Sequence, residues 1–129
     1  MPKNIAILGS TGSVGLQALE VVRENPGHYN VTMLSAFSSY DQLARQAFEF
    51  KPNAVVIGDK GLQEDLKVLL DGSGIRVFSG MEPMGDLLND LNIDLVLNAI
   101  VGYAGFEPTI CTLMSGKDLA LANKESLVV

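Results

Sequence analysis

Three stretches of this 129-residue chain combine residue types and spacings that do chemistry. The first is Gly9-Ser10-Thr11-Gly12-Ser13-Val14-Gly15, with three glycines at three-residue intervals. It follows an apolar run and opens a segment of helical period. In that setting each glycine has its own task. Gly9 turns the chain out of the strand, Gly12 lets a pyrophosphate approach the backbone, and Gly15 lets the helix pack close to the sheet. The helix start supplies unpaired N–H donors and partial positive charge. The hydroxyls of Thr11 and Ser13 can donate to phosphate oxygens. The spacing is one residue longer than the usual dinucleotide fingerprint. An ordinary strand-to-helix turn is the competing reading, but three regular glycines exceed what such a turn needs.

The second stretch decides which dinucleotide is held. A site for NADH usually places an acid at the end of the second strand, on the ribose 2′-hydroxyl. Here that strand runs into Phe37-Ser38-Ser39, and no acid appears before Asp41. Without a carboxylate, nothing repels a 2′-phosphate, and Ser38 and Ser39 can donate to it. The balance favours NADPH, although no Lys or Arg lies in the turn itself. Arg45, about one helical turn on, either swings in or sits on a solvated helix face.

The third stretch is Asn123-Lys124-Glu125-Ser126, after a late apolar run. In open α/β sheets ligands bind outside the carboxyl ends of the strands, so this segment lies on the correct edge. Asn123 suits a ribose or nicotinamide amide, and Glu125 suits ribose hydroxyls. Lys124 offers a cation to an anionic substrate. A polar surface loop explains the same composition. Likewise, Asn98 to Gly105 reads equally as a slot for a flat ring and as a loose turn.

The elements that must position these groups alternate along the chain. Ile5 to Leu8 reads as a strand buried on both faces. Ser13 to Asn25 reads as a helix stopped by Asn25-Pro26-Gly27. Strands follow at Tyr29–Ser35, Ala54–Ile57, Arg76–Ser79, Asp94–Asn98 and Asp118–Ala122. Helices fall at Tyr40–Phe50, Leu62–Leu70, Met81–Asn89 and Phe106–Met114, the second of these on a Leu62, Leu66, Leu69, Leu70 stripe. The expected fold class is α/β: a Rossmann-like, doubly wound, mostly parallel sheet with helices on both faces.

Composition bounds the rest. Apolar residues at 47% and charged residues at 19% suit one soluble globular domain. A net charge of −6 speaks against a nucleic-acid partner. No apolar run reaches the roughly 18 residues that span a bilayer, so no membrane partner is expected. The start, Met1 to Asn4, lacks the features of a secretory signal. The single Cys111 suits a reducing, cytoplasmic setting. It falls mid-helix among Ile110, Leu113 and Met114 and reads as core. His28, in a loop remote from the strand ends, reads as a surface residue. The chain stops at Val129 inside an apolar run, which suggests a domain of residues 1–129 truncated before a further one.

Four segments together resemble one family. They are I-L-G-S-T-G-S-V-G at 7–15, E-V-V-R-E-N-P at 20–26, A-I-V-G-Y-A-G-F-E-P-T at 99–109 and G-K-D-L-A-L-A-N-K-E-S-L-V at 116–128. The chain resembles the N-terminal, NADPH-binding domain of 1-deoxy-D-xylulose 5-phosphate reductoisomerase, with L-A-N-K-E-S the most diagnostic part. The resemblance implies rearrangement and NADPH-dependent reduction of that sugar phosphate to 2-C-methyl-D-erythritol 4-phosphate, in non-mevalonate isoprenoid synthesis. It implies that Thr11, Gly12, Ser13 and Val14 hold the cofactor phosphates, that Asn123 and Glu125 contact NADPH, and that Lys124 reaches the substrate. It further implies a homodimer when full length and a Mg²⁺ or Mn²⁺ ion acting as a Lewis acid. The metal-ligating carboxylates and substrate lid lie beyond L-A-N-K-E-S, so this chain by itself is expected to bind cofactor without turnover. Many members have a small residue, then Lys or Arg, then Asn, where this chain has Phe37-Ser38-Ser39.

Two other readings compete. An NADP-linked dehydrogenase of the aspartate-semialdehyde type opens with a similar loop but needs a nucleophilic cysteine at a strand–helix junction. A nonenzymatic NADP(H)-sensing module would need no catalytic domain.

Overall fold

The computed structural model describes residues 2–80, 82–83, 86–87 and 92–99, and the backbone of 118–121. Strand β1 (Lys3–Leu8) leads through α1 (Ser13–Glu24) to β2 (Tyr29–Ala36). Helix α2 (Tyr40–Phe50), β3 (Ala54–Ile57), α3 (Gln63–Leu69) and β4 (Arg76–Ser79) follow. Strands β5 (Leu95–Asn98) and β6 (Asp118–Leu121) are the last of the sheet among the described residues. The six strands lie in the order β4-β3-β2-β1-β5-β6, and every pairing is parallel. The chain winds outward from β1 to β4 and then returns to the other side of β1.

Alternation along the strands divides the core. Ile5, Ile7, Leu34, Val55 and Ile57 face α1, α2 and α3, meeting Leu19, Leu43, Ala47 and Leu66. Ala6, Leu8, Met33, Val56 and Val96 face the opposite side, where Leu87 and Ile93 cover them. Each fully buried leucine contributes about 1.5–3 kcal/mol relative to exposure. The doubly wound expectation holds, with apolar cover on both faces.

Several boundaries differ from the sequence reading for local reasons. β1 starts at Lys3, because the Lys3 N–H donates to the His28 carbonyl (2.9 Å). β2 runs one residue further, to Ala36. The register between β1 and β2 slips after Ile5, leaving Thr32 as a bulge. Its buried hydroxyl donates to the Ile5 carbonyl (2.9 Å). The third helical stripe opens with a 3-10 turn at Lys60–Leu62, because the Asp59 carboxylate accepts from the Gly61 N–H (3.0 Å). Asp94 stands outside β5, its carboxylate accepting from the Asn4 N–H (2.8 Å). The expected helix at Phe106–Met114, with Cys111, lies outside the described residues, as does most of Met81–Asn89. His28 is exposed, as expected.

On the outer surface Arg23 ties α1 to α2. It donates to Glu20 (2.8 Å) and to both carboxylate oxygens of Glu49, and its guanidinium lies 5.2 Å from the centre of the Phe50 ring. Hydrogen bonding from Arg23 holds the Glu49 carboxyl below the usual range. A carboxyl depressed in the folded state stabilises above its ordinary pKa and loses that contribution as pH falls through its folded value. Both side chains are well exposed, so Glu49→Gln is expected to cost less than about 1 kcal/mol at neutral pH. Urea unfolding should show that deficit shrinking as the solution is acidified.

Candidate dinucleotide-binding site

The strand order reverses between β1 and β5, and the crevice of such a sheet opens outside the carboxyl ends of those strands. The glycine loop leaves β1 there. Leu8 pairs with Asn98, and its carbonyl accepts from the Ala99 N–H (2.8 Å).

The three glycines do three different things. Gly9 has φ +80°, a left-handed conformation that L side chains rarely adopt. At Gly15 a Cβ would sit 2.3 Å from the Gly9 carbonyl oxygen and 2.6 Å from the Ser10 Cα, so only glycine lets α1 approach the loop this closely. Gly12 is the opposite case. Its exposed backbone is extended (φ −78°, ψ 171°), and a Cβ there would meet only the Gly9 oxygen, at 3.6 Å. That side of the loop is open, as a cradle for a ligand must be.

Gly12 caps α1, and the first backbone bond of the helix runs from the Leu16 N–H to the Gly12 carbonyl (2.9 Å). The N–H groups of Ser13, Val14 and Gly15 precede it and have no intrahelical acceptor. No acid lies in the first turn of α1, whereas α2 has Asp41 there and α3 has Glu64 and Asp65. In a chain of net charge −6, α1 thus has no first-turn acid to compensate its positive end.

A buried polar network that the sequence reading missed fixes the loop from below. The Gly9 and Ser10 N–H groups both donate to the Ser35 carbonyl (3.0 and 2.8 Å), and the Gly9 N–H also meets Ser35 Oγ (3.1 Å). From α2, Gln46 bonds both polar ends of Ser10. One signal could have revealed it: Gln46 is an amide on the same stripe as Leu43, Ala47 and Phe50.

The end of β2 lies beside the loop, since Leu8 pairs with Ser35. Ser38 is exposed and Ser39 half-buried. Ser39 caps α2 without using its side chain as a cap. The Phe37 ring lies against Gly58, where a Cβ would come within 2.7 Å of it. Arg45 pairs with Asp41 (3.1 Å) on the exposed side of α2. Such a pair holds its partners by only about 0.3–0.5 kcal/mol, so an incoming phosphate could compete for the guanidinium. Thr11, Gly12, Ser13, Val14, Ser38 and Ser39 thus all lie just past the carboxyl ends of β1 and β2. Asn123, Lys124 and Glu125 lie outside the described residues.

A cavity of about 580 Å³ lined by Lys51, Asn53 and Arg76 opens at the amino-terminal ends of β3 and β4, away from this edge. Among the described residues, no three His, Cys, Asp or Glu side chains are grouped to hold a metal ion.

An all-parallel, doubly wound sheet with a glycine loop at its switch point defines a Rossmann-type nucleotide-binding domain. The chain belongs to the 1-deoxy-D-xylulose 5-phosphate reductoisomerase family, whose model matches residues 5–129. Enzymes of that name from Phocaeicola vulgatus and Chloroherpeton thalassium are 46% and 45% identical to it over 100% and 98% of its length. It spans about a third of each (34% and 33%). The structure of the Zymomonas mobilis reductoisomerase in complex with NADPH superposes with a TM-score of 0.90 at 35% identity, covering 99% of this chain and 34% of that one. A reductoisomerase complex with NADPH, fosmidomycin and magnesium gives 0.88 at 36% identity, covering 98% of this chain and 31% of that one. Membership of this family decides against the semialdehyde-dehydrogenase alternative.

Proposed function

We propose that this chain is the NADPH-holding part of a reductoisomerase that rearranges and reduces 1-deoxy-D-xylulose 5-phosphate to 2-C-methyl-D-erythritol 4-phosphate. The observation that carries the reading is the start of α1: three N–H groups without helical acceptors, no acid in the first turn, and an open face at Gly12. A pyrophosphate fits that donor set. Thr11 and Ser13 add hydroxyl donors, and the Val14 N–H completes the cradle. Ser38 and Ser39 take the 2′-phosphate. Asn123 and Glu125 contact the ribose or nicotinamide, and Lys124 meets the substrate phosphate or hydroxyls, as the family motif suggests. When bound, NADPH supplies the hydride that reduces the rearranged carbonyl. This chain's residues hold and orient it so that the nicotinamide reaches the substrate.

Among the described residues no His, Cys, Asp or Glu cluster could hold the Mg²⁺ or Mn²⁺ ion that the family resemblance implies for the full-length enzyme. The lone cysteine suits a reducing, cytoplasmic setting. The family resemblance supports a homodimer for the full-length protein.

Titration tests the reading. NADPH should bind the 129-residue chain more tightly than NADH, and the sugar phosphate with Mg²⁺ should cause no cofactor oxidation. Equal affinity for the two nucleotides would remove the role given to Ser38 and Ser39. Absence of binding to either would remove the loop assignment.

A further inference from the structure

We infer that Gln46 is a positioning residue for the cofactor, acting through Ser10 to aim the loop at the phosphates; this rests on the reading of the loop as the NADPH cradle. Gln46 is 5% exposed, on the core face of α2, and Ser10 is fully buried. The Gln46 Nε2 donates to the Ser10 carbonyl (3.0 Å), and its Oε1 accepts from Ser10 Oγ (2.7 Å). A carbonyl only accepts, so the amide orientation follows from chemistry. Ser10 Oγ also lies 3.3 Å from the Ser35 carbonyl.

The consequence reaches the ligand side through the peptide plane. Ser10 C=O and Thr11 N–H belong to one planar, trans peptide and point in opposite directions. A carbonyl held towards α2 by Gln46 therefore sends the Thr11 N–H away from α2. Thr11 leads directly into the exposed Gly12-Ser13 backbone at the start of α1. One bond from the amide holds that peptide by its carbonyl, and the other holds the Ser10 side chain beside it. A leucine would fill similar space but release it.

The test uses the full-length enzyme. Gln46→Leu is expected to weaken NADPH about tenfold, the equivalent of a lost hydrogen bond, and to raise its KM while kcat at saturation stays close to wild type. Gln46→Glu gives a signature that a packing role would not. When protonated, its carboxyl can accept from Ser10 Oγ and donate to the Ser10 carbonyl; when ionised, it repels that carbonyl. Burial pushes such a carboxyl up, so the ratio of variant to wild-type Kd should grow between about pH 6 and pH 8.5. If Gln46→Leu does not fold, Ser10→Ala, which keeps the Gln46 bond to the carbonyl, should weaken NADPH by about threefold. Wild-type affinity in a folded Gln46→Leu, or in Ser10→Ala where the former does not fold, overturns the inference. So does a Kd ratio for Gln46→Glu that is flat with pH. Failure of the wild type to bind NADPH overturns the cradle instead.

Discussion

Gly12→Val should abolish NADPH binding while the fold survives. The two halves of that expectation have separate physical grounds. Gly12 is extended, with φ −78° and ψ 171°, a conformation open to any residue. A Cβ there makes only an ordinary contact, 3.6 Å from the Gly9 oxygen. Valine is a poor helix cap, so the substitution costs about 1 kcal/mol of stability. On the ligand side the same side chain stands between the pyrophosphate and the N–H groups of Ser13, Val14 and Gly15. Bonds from backbone N–H to a charged phosphate are worth about 1.5–3 kcal/mol each, so loss of two exceeds a hundredfold in affinity. Fluorescence titration with NADPH should show no saturable binding, and the thermal unfolding curve should stay cooperative. A variant that still bound NADPH would place the phosphates elsewhere.

The parts of this architecture that depend on period and punctuation were legible in the residues. Ile5 to Leu8 has no alternation, which suits a strand covered on both faces, and it is buried on both. The turn at Gly9 and the close packing at Gly15 were legible in the glycine spacing, and the structure has both; at Gly12 it has an open, extended backbone, on which the proposed phosphate contact rests. The clamp beneath the loop was not legible. It joins residues 36 apart in sequence, and their meeting depends on how β2 lies against β1, including the bulge at Thr32. A hydrophobic pattern registers Gln46 as a gap in a stripe, not as a donor and acceptor aimed at one residue. The end of β2 was legible in what it lacks, an acid before Asp41. The pairing of Asp41 with Arg45 adds that the nearby cation is already engaged on the α2 surface. Asn123, Lys124 and Glu125 rest on their motif.

Gly15→Ala should be among the most damaging single changes in the chain, although it is a substitution that normally helps a helix. In an unhindered helix interior, alanine is favoured over glycine by about 0.8–1 kcal/mol. Here the sign reverses because of what lies opposite. The new methyl would fall 2.3 Å from the Gly9 oxygen, 2.6 Å from the Ser10 Cα and 2.8 Å from the Ser10 carbonyl carbon. All three are backbone atoms, so no side-chain rotation relieves the contact. Relief requires α1 to lift from the sheet, which uncovers Leu19, or the loop to shift, which strains the Ser35 and Gln46 bonds. Overpacking of a well-filled core costs about 1–3 kcal/mol, and a rigid contact of this kind belongs at the upper end. The urea midpoint of Gly15→Ala should therefore fall well below wild type, and NADPH affinity should fall with it. Gly12→Val, three residues away on the same loop, should abolish affinity at a stability cost of only about 1 kcal/mol. A Gly15→Ala midpoint at or above wild type would mean that α1 is not seated against Gly9 and Ser10. It would remove the close approach that holds the N–H groups of α1 beside the loop.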